Sequence, residues 1–137
     1  MTFENINALF INGTLKKSPE LSHTQGLIDL STRVMESQGA TVESVRAVDL
    51  GIAPGVAPDM TEHGYDSDGW PELWKKVEKA DILVLASPIW LGEVSSVTRI
   101  VAERLYAMSG LLNEKGQYSF YGKVAGALLS GNEDGAK

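Results

Sequence analysis

The chain contains no cysteine, and this absence excludes several kinds of chemistry. Disulfide bonds, iron–sulfur clusters and thiolate nucleophiles all need that side chain. Basic residues are also scarce, with 12 lysines and arginines against 18 aspartates and glutamates and a formal net charge of −6. No basic cluster exceeds a lysine pair, so the sequence argues against nucleic acid or an anionic membrane as a partner.

Long hydrophobic runs are missing as well. No apolar run approaches the length of a membrane span, and the N-terminus has no signal-peptide pattern, so we expect a cytoplasmic protein. The length of 137 residues, 43% of them hydrophobic, predicts one domain over residues 1–137 with a single buried core. Neither a Walker A loop nor G-x-G-x-x-G is present, which disfavours kinase-like chemistry and ordinary dinucleotide binding.

Strand and helix patterns alternate along the chain. Continuous apolar runs are typical of strands that are covered on both faces, and helical spacing of apolar residues follows them. The alternation predicts an α/β protein with a doubly wound parallel sheet and helices on both faces. The predicted strands are 6–12, 41–48 (an edge strand), 81–87 and 123–130, and the predicted helices begin near Ser22, Trp70 and Val94. The apolar face of the first helix is predicted to consist of Leu27, Leu30, Val34 and Met35.

Three of the predicted strands end in unusual turns. These turns are Asn12-Gly13-Thr14, Ser87 to Gly92 and Ser130 to Gly135. In such sheets the ligand lies outside the carboxyl ends of the strands, so we expect the three turns to share one rim. Ser22 and Gln25 fit a capping box, and the unpaired N–H groups of a helix start favour an anion. Our interpretation is that the first loop holds a phosphate group.

At these loops the sequence resembles the NAD(P)H-dependent FMN reductase branch of the flavodoxin-like superfamily. The resemblance rests on Gly13-Thr14-x-Lys16 with Ser22-x-Thr24, on the run from Ser87 to Ser96 with Arg104 after it, and on Tyr121 to Val124 running into Gly131 to Ala136. It implies an FMN-binding oxidoreductase that passes a hydride from NAD(P)H through flavin N5 to a small acceptor such as a quinone or free flavin. It also implies a homo-oligomer, a dimer or tetramer.

The resemblance assigns the binding residues to three groups. The phosphate would be held by Thr14, Lys16, Ser22 and Thr24, with Lys16 standing where many relatives use arginine. The flavin ring would be bordered by Pro88, Ile89, Trp90, Leu91 and Gly92, and its other edge would be closed by Gly131, Asn132, Asp134 and Gly135. The cofactor supplies the chemistry, so we expect no catalytic side chain and no metal site.

The length of the chain departs from the family pattern. Family members continue through a further helix, a fifth strand and a last helix, so strand five and the last helices would be missing from this chain. Val124, Ala125, Leu128 and Leu129 would then lie on an exposed edge strand, and part of one sheet face would lose its helix. We expect the chain to be part of a longer protein.

Several residues have a simpler alternative interpretation. Ser22 and Thr24 could cap the helix alone, and Trp70 and Trp74 are expected in the core or at an interface. The histidines are expected to be incidental, residues 62–68 to form a mobile solvated loop, and the longer loop 49–69 to be functional.

Three other functions stay open at this point. A non-enzymatic electron carrier of flavodoxin type and a truncated domain that no longer binds FMN are the main alternatives. A phospho-receiver domain is disfavoured, because its central strands would have to end in an aspartate.

Overall fold

Within residues 2–132, which the computed structural model describes, four parallel strands form the centre of the molecule. β1 (Asn7–Asn12) lies between β2 (Thr41–Arg46) and β3 (Ile82–Trp90), and β5 (Val124–Ser130) pairs with the other side of β3. A short β4 (Glu93–Val94) runs antiparallel to the end of β3. The order of the parallel strands, 2-1-3-5, confirms the flavodoxin-like sheet, and β2 lies at an edge as predicted.

The helices cover the two faces of the sheet separately. α1 (His23–Ser37) buries Ile28 against Phe10 on one face. α2 (Trp70–Lys79) and α3 (Ser96–Met108) pack on the other face. Two short 3₁₀ helices, Ala47–Asp49 and Met60–His63, lie in the connection between β2 and α2. None of the helices in the described part of the chain is long and apolar enough to cross a membrane.

The larger core lies under α2 and α3. Trp70, Leu73, Trp74 and Val77 are the buried face of α2, which confirms the core alternative predicted for the two tryptophans. The two indole rings stack with their centroids 6.1 Å apart. These side chains fill the space between α2 and the sheet. A helix of ten residues is marginal by itself, so α2 is stabilised mainly by this packing.

The apolar face of α1 differs from the prediction. The helical spacing indicated Leu27, Leu30, Val34 and Met35, but the sheet buries Ile28, and Leu30 and Val34 are 53% and 59% exposed. Met35 is partly buried beside Ile28. The apolar stripe of α1 is therefore wider than the contact with the sheet, and its outer part faces away from the core.

β5 lies at the other edge of the sheet, as the sequence predicts. Among residues 2–132 no strand pairs with its far side, and Val124 and Leu129 are 61% and 47% exposed. Lys123 anchors the start of this strand by donating from Nζ to the carbonyls of Glu78 and Ala80, at 2.7 and 2.6 Å. A lysine at these last carbonyls also stabilises the C-terminus of α2.

A buried ion pair organises the segment between β2 and α2, where the sequence predicted a mobile solvated loop over 62–68. The Asp68 carboxylate is fully buried and accepts from Arg104 Nη2 at 2.7 Å. It also accepts from the backbone N–H groups of Ala53, Met60 and Trp70, at 3.2, 3.0 and 3.0 Å. The prediction is therefore wrong for Asp68, since its carboxylate is buried and forms hydrogen bonds to three separate positions of the loop.

Arg104 completes this arrangement from α3. Its guanidinium donates to the carbonyls of Ala53 and Pro58, at 2.7 and 3.1 Å, and lies 5.5 Å from the centre of the Trp70 ring. Burial raises the pKa of Asp68, but the hydrogen bonds from Arg104 and from the three N–H groups outweigh it and leave the pKa below the ordinary value for aspartate. Arg104 is thus a structural residue of this loop.

The predicted turn from Ser87 to Gly92 is partly a strand. Residues Pro88 to Trp90 extend β3, and Ile89 and Trp90 pair with Val94 and Glu93 across a two-residue turn. The turn residues Leu91 and Gly92 have φ of 56° and 75°, which is the backbone of a type I′ hairpin. Pro88 lies beyond Ala86, the last residue of β3 that pairs with β1, so its missing N–H group interrupts no pairing with that strand.

Candidate functional site

A cavity of about 800 Å³ opens at the carboxyl ends of β1, β3 and β5. Its volume is within the range of small-molecule sites, about 300–1,000 Å³. Polar residues from the start of α1 and apolar residues from the end of β3 face the same space. The lining consists of Thr14, Leu15, Lys16, Ser22, His23, Thr24, Gly26, Leu27, Pro88, Ile89, Trp90, Leu129, Ser130, Gly131 and Asn132.

The loop from Gly13 to Ser22 is fixed at its base by Asn12. The Asn12 side chain is fully buried and accepts from the N–H of Thr14 at 2.9 Å. Its amide nitrogen donates to Gln25 Oε1, also at 2.9 Å. Gln25 therefore bonds to the end of β1 instead of reaching back to complete the predicted capping box. One buried amide links the end of β1, the loop and the first turn of α1.

Arg46 at the end of β2 and Asp49 in the 3₁₀ helix that follows it hold the outer part of the loop. Arg46 Nη1 donates to the carbonyls of Lys16 and Glu20, at 3.0 and 2.9 Å. Asp49 accepts from the N–H and the hydroxyl of Ser18, at 3.0 and 2.5 Å, and these two bonds lower the pKa of Asp49 below its ordinary value. The loop is therefore pre-organised by its own hydrogen bonds.

The start of α1 presents unpaired donors to the cavity. Ser22 is the N-cap and accepts from the N–H of Gln25 at 3.1 Å, as the sequence predicts. This cap leaves the N–H groups of His23 and Thr24 without an intrahelical acceptor. The α1 dipole adds partial positive charge at the same point, so the arrangement favours an anion.

Lys16 brings the formal positive charge that was predicted at this point. Its Nζ lies 3.2 Å from the carbonyl of Leu21 and 3.9 Å from Glu20, with half of the side chain exposed. The ammonium group is therefore held close to the helix start by weak, solvent-screened contacts. An anion with two charges would compete well with Glu20 for it.

The opposite part of the cavity is apolar. Pro88, Ile89 and Trp90 line it from β3, and Leu129 lines it from β5. The Trp90 ring is half exposed because it stands at the end of the hairpin. A flat aromatic ring next to an apolar strand end is suited to a planar heteroaromatic ligand.

The structure brings most of the predicted site residues together. Nine of them line the cavity: Thr14, Lys16, Ser22, Thr24, Pro88, Ile89, Trp90, Gly131 and Asn132. Leu91 and Gly92 do not line it; Leu91 is 93% exposed and borders a neighbouring cleft of about 530 Å³. Asp134 and Gly135 lie outside the described residues. The roles of all of these residues in holding FMN stay predictions.

Two polar lining residues were not predicted. His23, which was predicted to be incidental, lies at the first position of α1 beside the unpaired N–H groups. The Ser130 hydroxyl lies 2.7 Å from that of Thr24 and joins the end of β5 to the start of α1. The Thr24–Ser130 contact depends on packing between distant segments, which no local pattern shows.

The donor set fits a flavin mononucleotide. A phosphate monoester matches the ammonium, hydroxyls and N–H groups near α1, and an isoalloxazine ring matches the apolar end of β3. Among residues 2–132 no group of three or more histidines, aspartates and glutamates is placed to hold a metal ion.

The chain is similar to one known family and to two known proteins. The chain matches the family model described as NADPH-dependent FMN reductase over residues 6–137. It is 40% identical over 136 residues to 8-demethyl-8-aminoriboflavin-5'-phosphate synthase from Streptomyces davaonensis. The alignment covers 96% of this chain and 53% of that protein. It is 59% identical over 135 residues to a Mycobacterium bovis protein named divalent metal cation transporter MntH. That alignment covers 98% of this chain and 20% of the Mycobacterium protein.

The solved structures agree with these matches. The crystal structure of RosB with bound 8-demethyl-8-formylriboflavin-5'-phosphate aligns with a TM-score of 0.84 at 40% identity, over 95% of this chain and 54% of that one. An azoreductase from Bacillus anthracis aligns with a TM-score of 0.56 at 13% identity, over 96% of this chain and 74% of that one, and shows the fold alone.

The chain therefore spans about half the length of the Streptomyces relative and a fifth of the Mycobacterium relative. Nearly all of it takes part in the family match. By its sequence, its strand order and the position of its cavity, this chain belongs to the NADPH-dependent FMN reductase family.

Proposed function

We propose that the chain binds FMN and acts in an oxidoreductase that takes a hydride from NAD(P)H and passes it to a small acceptor such as a quinone or free flavin. The observation that carries the proposal is the single cavity that joins the polar start of α1 to the apolar end of β3. FMN is a ligand with a dianionic phosphate at one end and a planar ring at the other.

The residues of the chain would bind and orient the cofactor. Lys16, Ser22 and the first N–H groups of α1 would hold the phosphate, and Pro88 to Trp90 would border the ring. FMN supplies the hydride chemistry when bound, and none of these side chains has to act as an acid or base. Because the loop is fixed by Asn12, Arg46 and Asp49, little conformational entropy would be lost on binding.

A second candidate is an enzyme that uses a riboflavin 5'-phosphate as its substrate. The 40% identity to a synthase whose name describes such a compound favours it. The RosB structure likewise holds a riboflavin 5'-phosphate derivative. Both candidates use the same phosphate and ring positions in this chain, and they differ in whether the flavin leaves chemically unchanged.

The proposal also includes the assembly and the partners. We propose a homo-oligomer that acts on small molecules.

The phosphate subsite can be tested by comparing FMN with riboflavin. We expect the wild-type chain to bind FMN about 100-fold more tightly than riboflavin, because a phosphate gains several charge-assisted hydrogen bonds. Lys16→Met should weaken FMN binding about 10-fold and leave riboflavin binding unchanged. Quenching of flavin fluorescence during titration would measure both affinities.

Lys17→Met is the matched control, since Lys17 is the exposed neighbour of Lys16 and does not line the cavity. Equal losses in the two lysine variants would mean that only general charge matters and would contradict the assignment of Lys16. Bound FMN recovered unchanged after oxidation of NAD(P)H would support the reductase, and a chemically altered flavin would support the second candidate.

A further inference from the structure

Three buried hydroxyl groups lie next to the loops that line the cavity, in sequence or by hydrogen bonds, and they have no role in the proposed function. Ser87 at the end of β3, Ser95 at the N-cap of α3 and Thr98 in its first turn are 1%, 2% and 5% exposed. Thr98 Oγ1 lies 2.9 Å from Ser87 Oγ and 2.9 Å from Ser95 Oγ. We call these three residues the hydroxyl cluster.

The direction of each proton in the hydroxyl cluster follows from its acceptors. Ser95 donates its only hydroxyl proton to the carbonyl of Gly13 at 2.5 Å, and Ser87 donates its own to the carbonyl of Pro88 at 2.8 Å. Both carbonyls can only accept. The Thr98 hydroxyl proton is therefore donated to Ser87 Oγ, and the backbone N–H of Thr98 donates to Ser95 Oγ at 3.1 Å. Through these two bonds Thr98 joins the two serines to each other.

The hydroxyl cluster connects the two parts of the site. Ser87 and Ser95 are the residues immediately before and after the hairpin that carries Trp90, and the N–H of Ser95 also donates to Ser87 Oγ at 3.0 Å. The Gly13 carbonyl belongs to the loop proposed to hold the phosphate. One buried set of hydrogen bonds thus spans from the phosphate loop to both ends of the hairpin.

The position of the hairpin depends on the hydroxyl cluster. Only two residue pairs join β4 to β3, and the tip is exposed at Trp90 and Leu91. A two-stranded ribbon of this size is not stable by itself. Its position relative to the phosphate loop therefore depends on the bonds at Ser87 and Ser95, together with the burial of Ile89 and the pairing of Pro88 with Ser130.

We propose that Thr98 is a positioning residue for flavin binding, whose hydroxyl fixes the distance between the Trp90 hairpin and the phosphate loop. A ligand with a phosphate and a ring can use both subsites only when they are correctly spaced. The inference rests on the proposed binding of FMN. It assigns to Thr98 no contact with the flavin.

Thr98→Val and Thr98→Ser test the inference. Valine keeps the volume and removes the hydroxyl, whereas serine keeps the hydroxyl, so we expect Thr98→Val to bind FMN about 10-fold more weakly and Thr98→Ser to restore binding. Acrylamide quenching of tryptophan fluorescence is the second readout, because Trp90 is half exposed and Trp70 and Trp74 are buried. Quenching should increase in Thr98→Val alone.

A substitution outside the cluster controls for general destabilisation. Thr32→Val, on α1 and half-buried, should change neither readout. A folded Thr98→Val that keeps wild-type FMN affinity or wild-type quenching would overturn the inference. If Thr98→Val does not fold, Ser87→Ala removes the acceptor of the Thr98 hydroxyl proton and carries the same expectations. Absence of FMN binding by the wild-type chain would instead be a failure of the proposed function.

Discussion

Replacing Asp68 with asparagine is expected to lower the free energy of unfolding by about 3–5 kcal/mol, because it leaves the buried Arg104 without its counterion. The asparagine amide group would also have to face N–H donors that the carboxylate accepts, such as that of Met60. Urea unfolding followed by tryptophan fluorescence would measure the change, since Trp70 and Trp74 lie in the adjoining core.

Asp66→Asn is the control, because Asp66 is an exposed aspartate in the same loop and its replacement should have little effect. The pH dependence gives a second check. The pKa of Asp68 is lowered in the folded chain, so its contribution is complete above the ordinary value of about 3.9 and is lost as the pH falls through the lowered pKa. The difference in the free energy of unfolding between wild type and Asp68→Asn should therefore decrease at acid pH. A difference that does not depend on pH would contradict the ion-pair account.

Gly13→Ala is expected to destabilise the chain by about 2–3 kcal/mol and to weaken FMN binding. A Cβ atom at Gly13 would fall well inside the contact distance of Thr98 Oγ1 and would come within 3.2 Å of Ser95 Oγ. These two hydroxyls are buried and hydrogen-bonded, so neither can move without breaking the hydroxyl cluster. Thermal unfolding and FMN titration would report the two effects.

Gly26→Ala provides the matched comparison for stability. A Cβ at Gly26 meets no atom within 4 Å, and alanine is favoured over glycine inside a helix by about 0.5–1 kcal/mol. This substitution should therefore stabilise the chain slightly. A Gly13→Ala variant as stable as wild type would show that the close approach of β1 to α3 is not required.

The sequence predicted the doubly wound parallel sheet and the edge that holds the cavity because both depend on local patterns, whereas the individual lining residues were assigned by the family resemblance. The continuous apolar runs of β1 and β3 identify central strands, and the carboxyl ends of parallel strands must meet at one edge. The N-cap at Ser22 is likewise a local signal, and the structure has it as predicted. These features need only neighbouring residues to be recognised.

The features that the sequence could not predict depend on long-range packing. Asp68 and Arg104 are 36 positions apart, and nothing near either residue indicates that they pair. The same holds for Thr24 with Ser130 and for Ser95 with Gly13. The outer face of α1 was expected to be buried because helical periodicity shows that a face is apolar, but not how much of it the sheet covers.

The most direct test of the account is the absorbance spectrum of the purified chain after loading with FMN and desalting. The account predicts that flavin bands near about 450 nm stay with the protein and are lost when riboflavin replaces FMN, because the phosphate is the anchored group. A chain that remains colourless after loading with FMN would contradict the proposed role of the phosphate loop and the Trp90 hairpin.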